Sequence, residues 1–266
     1  MQGVICFFLS KLLGKRRIII SQNVMLKLND SFKGRTYRWL YKIALKSPCF
    51  FASVASEDYG KYLAEVLGIE DNFFLVHDPF LKKYEEDAKK RVTTETAFDV
   101  FMGGNSSRDW NFAFELARKL KDNSFCFVLG EKEYDHFMEN QSEYPNVTMK
   151  QGISYDEFNS DLKSSKIVIC PVTTEAPAGL IVMYTAAAND IMFVTNKTAT
   201  TSGYINEDRG GIMDKNVKAW AEHIAYYLDH DDERVAKAKK LHEWLETACS
   251  MKACATELKN LIDMKG

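Results

Sequence analysis

Apolar and polar positions alternate along the chain in blocks that predict strands and helices in turn. The apolar runs RIIISQ, FFASVAS and FFLVH are rich in β-branched and aromatic residues, and stretches with helical periodicity separate them. Strands that alternate with helices favour βαβ units and a parallel sheet. The first part of the chain is therefore predicted to form a short α/β unit.

A longer series of the same kind begins at residue 98. Its predicted strands are FDVFM, SFCFVLG, VTM, KIVIC and IMFVT, and a capping box formed by Ser154 and Glu157 opens one of its helices. Residues 82–96, between the two series, are charged and lack apolar periodicity, which favours a linker, with a solvated helix as the alternative. Residues 232–264 show three-to-four apolar spacing, which predicts one long closing helix.

Composition changes this picture little. The 266 residues carry 35 Lys or Arg and 37 Asp or Glu, and a net charge of -2 gives no electrostatic reason to expect nucleic acid as a ligand. The six cysteines form no C-x-x-C pair, and three of them lie in apolar runs, which indicates a reducing, cytoplasmic compartment.

The opening segment MQGVICFFLSKLLGKRR is interpreted as an amphipathic helix followed by a strand. Its apolar run is broken by Lys11 and is too short to span a bilayer, and no cleavage site follows it. A weaker alternative is adhesion to a membrane surface through basic residues, which are Lys11, Lys15, Arg16 and Arg17.

Two turns that follow predicted strands carry candidate binding chemistry, because ligands of open parallel sheets bind at the carboxyl ends of strands. The first turn is GGNSSRDW. Gly103 and Gly104 allow close approach of the backbone to a ligand, and Arg108 supplies a charge that matches phosphate geometry. The alternative is an ordinary strand-to-helix turn capped by Ser106 or Ser107.

The second turn is TTEAPAG, which precedes an almost uncharged predicted helix at 180–188. Glu175 is either a carboxylate stabilised by the helix dipole or an acceptor for ligand hydroxyls. In the second case the N–H groups of Ala178, Gly179 and Leu180 face a diphosphate. A helix without a polar face is predicted to be buried on all sides.

Together these features resemble the donor site of the GT-B glycosyltransferases, the large retaining group also called group 1 or family 4-like. EAPAGLIVMYTAAAN followed by IMFVT resembles the family's donor signature, and GGNSSRDWNFAFELARKL resembles its earlier turn and helix. ISYDEFNSDLKSSKIVICP resembles the segment before that signature, and SGYINEDRGGIM resembles the loop after it. The resemblance covers residues 98–230 well and extends to 17–80, and its specificity comes from the order of the features.

The resemblance implies an α/β, GT-B-like fold with two Rossmann-like parallel-sheet domains, the N-terminal one incomplete and the C-terminal donor-binding one complete. The implied activity is transfer of a sugar from a UDP-, GDP- or TDP-sugar to a glycan or lipid-linked glycan, with retained configuration and without an obligatory metal. The implied division of the chain is a partial N-terminal domain at 1–81, a linker at 82–96, a C-terminal domain at 97–231 and a final helix at 232–266 that packs back on the first domain.

The resemblance also implies roles for individual residues. Glu175 takes the place of the catalytic-site glutamate that contacts the transferred sugar, and Arg108 takes the place of a phosphate-binding lysine. The other predicted donor-binding residues are Gly103, Gly104, Asn105, Ala178, Gly179, Leu180 and Tyr184.

Three departures from the family pattern bear on activity. Tyr184, or Met183 on a stricter count, replaces the glutamate that holds the ribose, and Asn105 replaces a diphosphate-binding arginine. The first domain is much shorter than the family's, so the chain is expected to need a partner chain, to form a homo-oligomer or to derive from an incomplete reading frame. His77 is interpreted as a strand end and Asp78 as a turn residue.

Three functions are consistent with these residues. The first is a glycosyltransferase that makes a cell-surface or capsular polysaccharide in the cytoplasm, with peripheral attachment to the inner face of the membrane as an option. The second is a non-catalytic donor-binding or scaffolding homologue. The third, a sugar-nucleotide epimerase, is disfavoured because the sequence shows no convincing set of histidine and carboxylate partners for proton chemistry.

Overall fold

The computed structural model covers most of the chain. Among the sequence predictions, Lys15 and Arg16 of the basic cluster, residues 91–95 of the linker and Met264 at the end of the final helix lie outside the described part. The structure describes residues 2–14, 17–26, 31–70, 72–90 and 96–263.

The first part of the chain forms a three-stranded parallel sheet. Its elements are α1 (Gln2–Leu12), β1 (Ile19–Ser21), α2 (Phe32–Leu45), β2 (Phe50–Val54), α3 (Glu57–Leu67) and β3 (Phe73–Leu75). The central strand β2 pairs in parallel with both β1 and β3. Phe50 of β2 makes edge-to-face ring contacts with Phe7 of α1 and Tyr41 of α2, so both helices pack on the same apolar core.

The second part forms a six-stranded sheet in the order β6-β5-β4-β7-β8-β9, in which every pairing is parallel. Its elements are α4 (Lys82–Lys89), β4 (Phe98–Gly103), α5 (Trp110–Lys119), β5 (Phe125–Val128), α6 (Glu131–Met138), β6 (Val147–Lys150), α7 (Tyr155–Lys163), β7 (Ser165–Cys170), α8 (Leu180–Ala188), β8 (Met192–Asn196), β9 (Gly211–Met213), α9 (Val217–Asp229), α10 (Asp231–Ala248) and α11 (Met251–Asp263). The chain runs outward from β4 to β6 and then returns to the other side of β4 as β7. The topological switch point, where such sheets bind ligands, therefore lies between β4 and β7.

The alternation of strands and helices agrees with the sequence prediction, and three segments differ in detail. Residues 82–96, for which a linker or a solvated helix was predicted, contain helix α4, which has no buried residue, and the loop predicted at 202–213 ends in strand β9. The closing segment forms two helices where one was predicted. The break falls at Cys249, whose carbonyl accepts the N–H of Phe80 at 2.7 Å, while Ser250 forms a bridge with Phe80.

Helix α8 is the buried centre of the second part, as its composition predicts. Eight of its nine residues are buried, and Ile181 is the exception, at 65% exposed. It packs against β8 and against helices α4, α7 and α10. A run of three alanines at its C-terminal end allows these neighbours to approach closely.

Hydrogen bonds join the two parts of the chain directly. The Tyr184 hydroxyl on α8 donates to the carbonyl of Asp78 at 2.7 Å, and the Ser56 hydroxyl donates to the carbonyl of Ala199 at 2.7 Å. Helix α11 returns to the first sheet, where Glu257 Oε1 lies 2.7 Å from Nδ1 of His77. The division of the chain into domains that the sequence resemblance implies remains a proposal.

The start of the chain forms the predicted helix and strand. Val4 and Phe7 of α1 are buried against the first sheet. Within the part of the chain that the structure describes, no helix is both long enough and apolar enough to cross a bilayer.

We expect Tyr184→Phe to lower the free energy of unfolding by about 1–2 kcal/mol, because the half-buried Asp78 carbonyl loses the hydroxyl donor of a buried tyrosine while the ring packing is kept. Urea unfolding measures the change. Tyr155→Phe, at a tyrosine that is 48% exposed, is the matched control and should leave stability nearly unchanged. An equal effect of the two substitutions would contradict the role given to the Tyr184 hydroxyl.

Candidate functional site

The two turns singled out in the sequence meet at the switch point. One follows β4 and the other follows β7, and these strands are neighbours in the sheet. Two backbone hydrogen bonds join the turns: Asp109 N–H donates to the Pro171 carbonyl at 2.9 Å, and Thr173 N–H donates to the Ser107 carbonyl at 3.0 Å. Ser107 adopts a left-handed conformation, with φ of 56°, which turns the chain toward β7.

Arg108 lies between these two bonds, and its guanidinium lies beside Gly104 and Gly179. Its Nε donates to the Gly103 carbonyl at 3.1 Å, and its Nη1 donates to the Ser106 carbonyl at 2.8 Å. A Cβ atom would lie 2.7 Å from Nη2 if added to Gly104, and 3.7 Å from it if added to Gly179. Both glycines have positive φ angles, 110° and 82°. The guanidinium is therefore held by its own turn, with Nη2 beside both glycines.

The N-terminus of α8 is open beside this guanidinium. Gly179 is the N-cap residue, so no side chain caps the first turn, and the first turn contains no acidic residue. The first N–H groups of a helix have no partner within the helix and carry its positive dipole end. Arg108 and α8 thus direct positive charge and N–H donors to the same place.

A cavity of about 540 Å³, the Arg108 cavity, opens at this place. Asp78 and Met25 from the first part of the chain line its far side. Within the described lining, Arg108 is the only cationic side chain and Asp78 the only anionic one. Six of the predicted donor-binding residues line it: Gly104, Asn105, Arg108, Ala178, Gly179 and Leu180.

Asp78 is a site residue that the sequence interpretation missed, because it was assigned to a turn. Asp78 follows β3 closely. Since ligands of parallel sheets bind beyond the carboxyl ends of strands, this position could have marked it as a candidate site residue. The Asn23 side-chain amide donates a hydrogen bond to its Oδ1. Burial raises the pKa of the Asp78 carboxyl above its ordinary value.

Glu175 lines a second cavity, the Glu175 cavity, of about 510 Å³. Tyr59 and Tyr62 of α3 also line it. The Ala199 N–H donates to Glu175 Oε2 at 2.6 Å, and the Thr200 hydroxyl donates to the Glu175 carbonyl at 2.7 Å. Glu175 therefore does not cap α8, and its carboxylate is oriented by the loop between β8 and β9.

The two cavities adjoin, and we call them together the central cleft. They share Met25, Ser106 and Pro177 as lining residues. Their walls come from the carboxyl ends of strands in both sheets. The fold thus places the predicted anion site and the predicted glutamate in adjoining cavities.

Two predicted donor-binding residues do not line this cleft. Gly103 faces Phe158, whose ring would lie 2.4 Å from an added Cβ, so packing and not ligand approach requires glycine there. Tyr184 is 2% exposed and donates its hydroxyl to the Asp78 carbonyl, so its side chain is directed to that carbonyl and does not line the cleft. The predicted Ser106 or Ser107 cap is also corrected, because Asp109 caps α5 by accepting the Phe112 N–H at 3.2 Å.

Comparisons with known proteins identify the fold. No protein-family model matches the chain, and no curated protein matches its sequence. HepE from Anabaena in complex with UDP superposes with a TM-score of 0.79 and 10% identity, over 98% of this chain and 76% of its own. Sucrose-phosphate synthase from Thermosynechococcus elongatus gives 0.78 and 13%, over 98% of this chain and 71% of its own.

A third solved structure is WaaG, a glycosyltransferase involved in lipopolysaccharide biosynthesis. It superposes with a TM-score of 0.64 and 13% identity, over 85% of this chain and 68% of its own. At such identities the likeness is one of fold. The chain has the GT-B fold, as the sequence resemblance predicted.

We expect Gly179→Ala to lower the free energy of unfolding by about 3 kcal/mol, because an added Cβ meets both a positive φ and the Cys170 sulfur at 2.5 Å. Gly152→Ala is the matched control, since Gly152 also has a positive φ but faces open space, and it should cost only about 1 kcal/mol. Denaturant unfolding measures both. Adding Cys170→Ala should recover part of the Gly179→Ala loss, and equal losses for the two glycine variants would contradict the close packing.

Proposed function

We propose that this chain is a glycosyltransferase that binds a nucleotide-sugar in the central cleft and transfers the sugar to a glycan acceptor. The observation that carries the proposal is the meeting of Arg108 and the open N-terminus of α8 at the switch point of a GT-B fold. HepE has been solved with UDP and with UDP-glucose. Uridine is therefore the first base to test, with guanosine and thymidine donors as the alternatives.

The diphosphate of the donor is assigned to the Arg108 cavity. Arg108 Nη2 and the first N–H groups of α8 supply hydrogen-bond donors and positive charge, and Asn105 adds a side-chain amide. When the bond between the sugar and the diphosphate breaks, negative charge grows on the leaving diphosphate. Donors fixed in advance at this position stabilise that charge.

The sugar is assigned to the neighbouring space, within reach of Glu175. The Ala199 N–H holds Oε2 of this carboxylate, which fixes the orientation of the group and leaves Oε1 to accept a hydrogen bond from a sugar hydroxyl. Positioning of this kind reduces the entropy cost of reaching the transition state. Glu175 is accordingly proposed as the catalytic-site carboxylate.

The finer features of the reaction follow the resemblance. We propose transfer with retained configuration, without an obligatory metal, to a polysaccharide or lipid-linked glycan, in the cytoplasm and at the inner face of the membrane. The proposed domain division is 1–81 for the partial N-terminal domain, 82–96 for the linker, 97–231 for the donor-binding domain and 232–266 for the C-terminal segment.

A second candidate is a non-catalytic donor-binding or scaffolding homologue. Arg108 is the only cationic side chain in the described lining of its cavity, with Asn105 in place of a second cation. The first sheet has three strands within the described residues. Such a protein would act with a partner chain, or with another copy of itself, that completes the N-terminal part.

We expect the purified protein to release nucleoside diphosphate from one nucleotide-sugar of a panel of UDP-, GDP- and TDP-sugars. Arg108→Gln should lower the rate by about 10²-fold, because one fixed donor to the leaving group is lost. Glu175→Gln should lower it by a similar factor while nucleotide binding is kept. Arg118→Gln is the matched control, since Arg118 pairs with Glu143 away from the central cleft.

Thermal unfolding with the free diphosphates separates the two candidates. A diphosphate at 100 times its dissociation constant stabilises the fold by about 2.7 kcal/mol. Stabilisation without turnover of any sugar nucleotide would support the non-catalytic homologue and overturn the transferase. If no diphosphate stabilises the fold and no sugar nucleotide is turned over, donor binding by this chain is overturned.

A further inference from the structure

The start of the chain carries a strong charge asymmetry. Residues 1–56 contain ten Lys or Arg and one acidic residue, Asp30, whereas residues 57–266 contain 25 basic and 36 acidic residues. The near-neutral total therefore conceals a basic first quarter and an acidic remainder. Clusters of Lys and Arg near a membrane surface are attracted to anionic lipids.

Helix α1 is apolar on its outer side as well as its inner side. Val4 and Phe7 are buried against the first sheet, whereas Ile5, Leu9 and Leu12 are 46%, 51% and 83% exposed. These three residues fall at i, i+4 and i+7 and so share one face of the helix. A stripe of large exposed apolar side chains of this kind is uncommon on a soluble surface.

Helix α2 lies beside α1 and continues the same outward surface. The two helices contact each other, and both pack on Phe50 of β2, so their opposite faces point away from the sheet. On that outer face of α2, Phe32 is 81% exposed and Trp39 is 60% exposed. Arg35 and Lys46 lie on the same face and are exposed, and α2 contains no acidic residue.

We infer that the outer faces of α1 and α2 form a docking surface for an anionic lipid bilayer. Leucine and aromatic side chains enter the boundary between headgroups and acyl chains, while the basic side chains pair with lipid phosphates. We call this surface the α1/α2 face. Its described members are Ile5, Leu9, Leu12, Phe32, Arg35, Trp39 and Lys46.

Charge argues for a bilayer as the occupant in preference to a second copy of the chain. A symmetric dimer through this face would bring two basic surfaces together without acidic partners, which costs free energy. An anionic bilayer offers both an apolar interior and the opposite charge. The inference deepens the proposed attachment at the inner face of the membrane and rests on that part of the proposed function. It does not rest on nucleotide binding, because none of the residues of this face lines the central cleft.

Co-sedimentation with vesicles tests the inference. We expect the protein to bind vesicles of phosphatidylcholine that contain phosphatidylglycerol and to dissociate from them at high salt. We expect no binding to vesicles of phosphatidylcholine alone. The Trp39 emission should shift to the blue on binding, and Trp39→Phe should remove the shift. Trp110 and Trp220 are buried in the core, and Trp244 of α10 packs against Arg209, outside the α1/α2 face.

Paired variants locate the binding surface. Arg35→Gln with Lys46→Gln should lower the partition coefficient by roughly tenfold or more, and Leu9→Ser with Leu12→Ser should lower it by a similar factor. The matched controls are Lys239→Gln with Lys240→Gln, at exposed positions of α10, and Ile262→Ser, at an exposed position of α11. These controls should bind as the natural protein does.

Two results would overturn the inference. One is equal binding of neutral and anionic vesicles, or a loss of vesicle binding in the control variants that is as large as the loss in the α1/α2 variants. The other is a dimer in sedimentation velocity that Leu9→Ser with Leu12→Ser dissociates, without any vesicle binding, which would assign the face to a second copy. An unchanged urea-unfolding midpoint in every variant shows that a loss of vesicle binding is not a loss of the fold.

Discussion

The site depends on the pair of backbone hydrogen bonds that join the turns after β4 and β7. The Asp109 to Pro171 bond and the Thr173 to Ser107 bond hold the two turns together at the switch point of the second sheet. Arg108 lies between them, and its guanidinium is fixed by carbonyls of its own turn. The position of this positive charge is therefore set by the backbone before any ligand arrives, which is the condition for electrostatic preorganisation.

The same constraint explains the unusual composition of α8. Its N-terminus must be open toward the cleft, and its body must fill the space between the sheet and helices α4, α7 and α10. A side-chain cap would occupy the N–H groups, and a polar face would be buried without partners. The two buried hydroxyl residues of this helix both have partners: Thr185 donates to the Ile181 carbonyl of the same helix, and Tyr184 donates to the Asp78 carbonyl. The second bond ties the helix to the wall that the first part of the chain contributes to the cleft.

Local patterns predicted most of the elements, and contacts between distant residues account for the misses. The bounds of α8 and the capping box at Ser154 follow from neighbouring residues alone, and both are confirmed. Gly103 and Tyr184 were assigned to the site because they sit in the right motifs. Whether they face the cleft depends on Phe158 and Asp78, which are distant in sequence. Asp78 was missed for the same reason, since only the meeting of the two sheets turns a strand end into a wall of the cleft.

A crystal structure of the protein with UDP tests the central claim most directly, because the claim concerns where a diphosphate binds. The account predicts diphosphate oxygens within hydrogen-bond distance of Arg108 Nη2 and of the first N–H groups of α8, with the turns after β4 and β7 unchanged. UDP bound elsewhere, or bound in the cleft with its diphosphate directed away from Arg108 and α8, would contradict it.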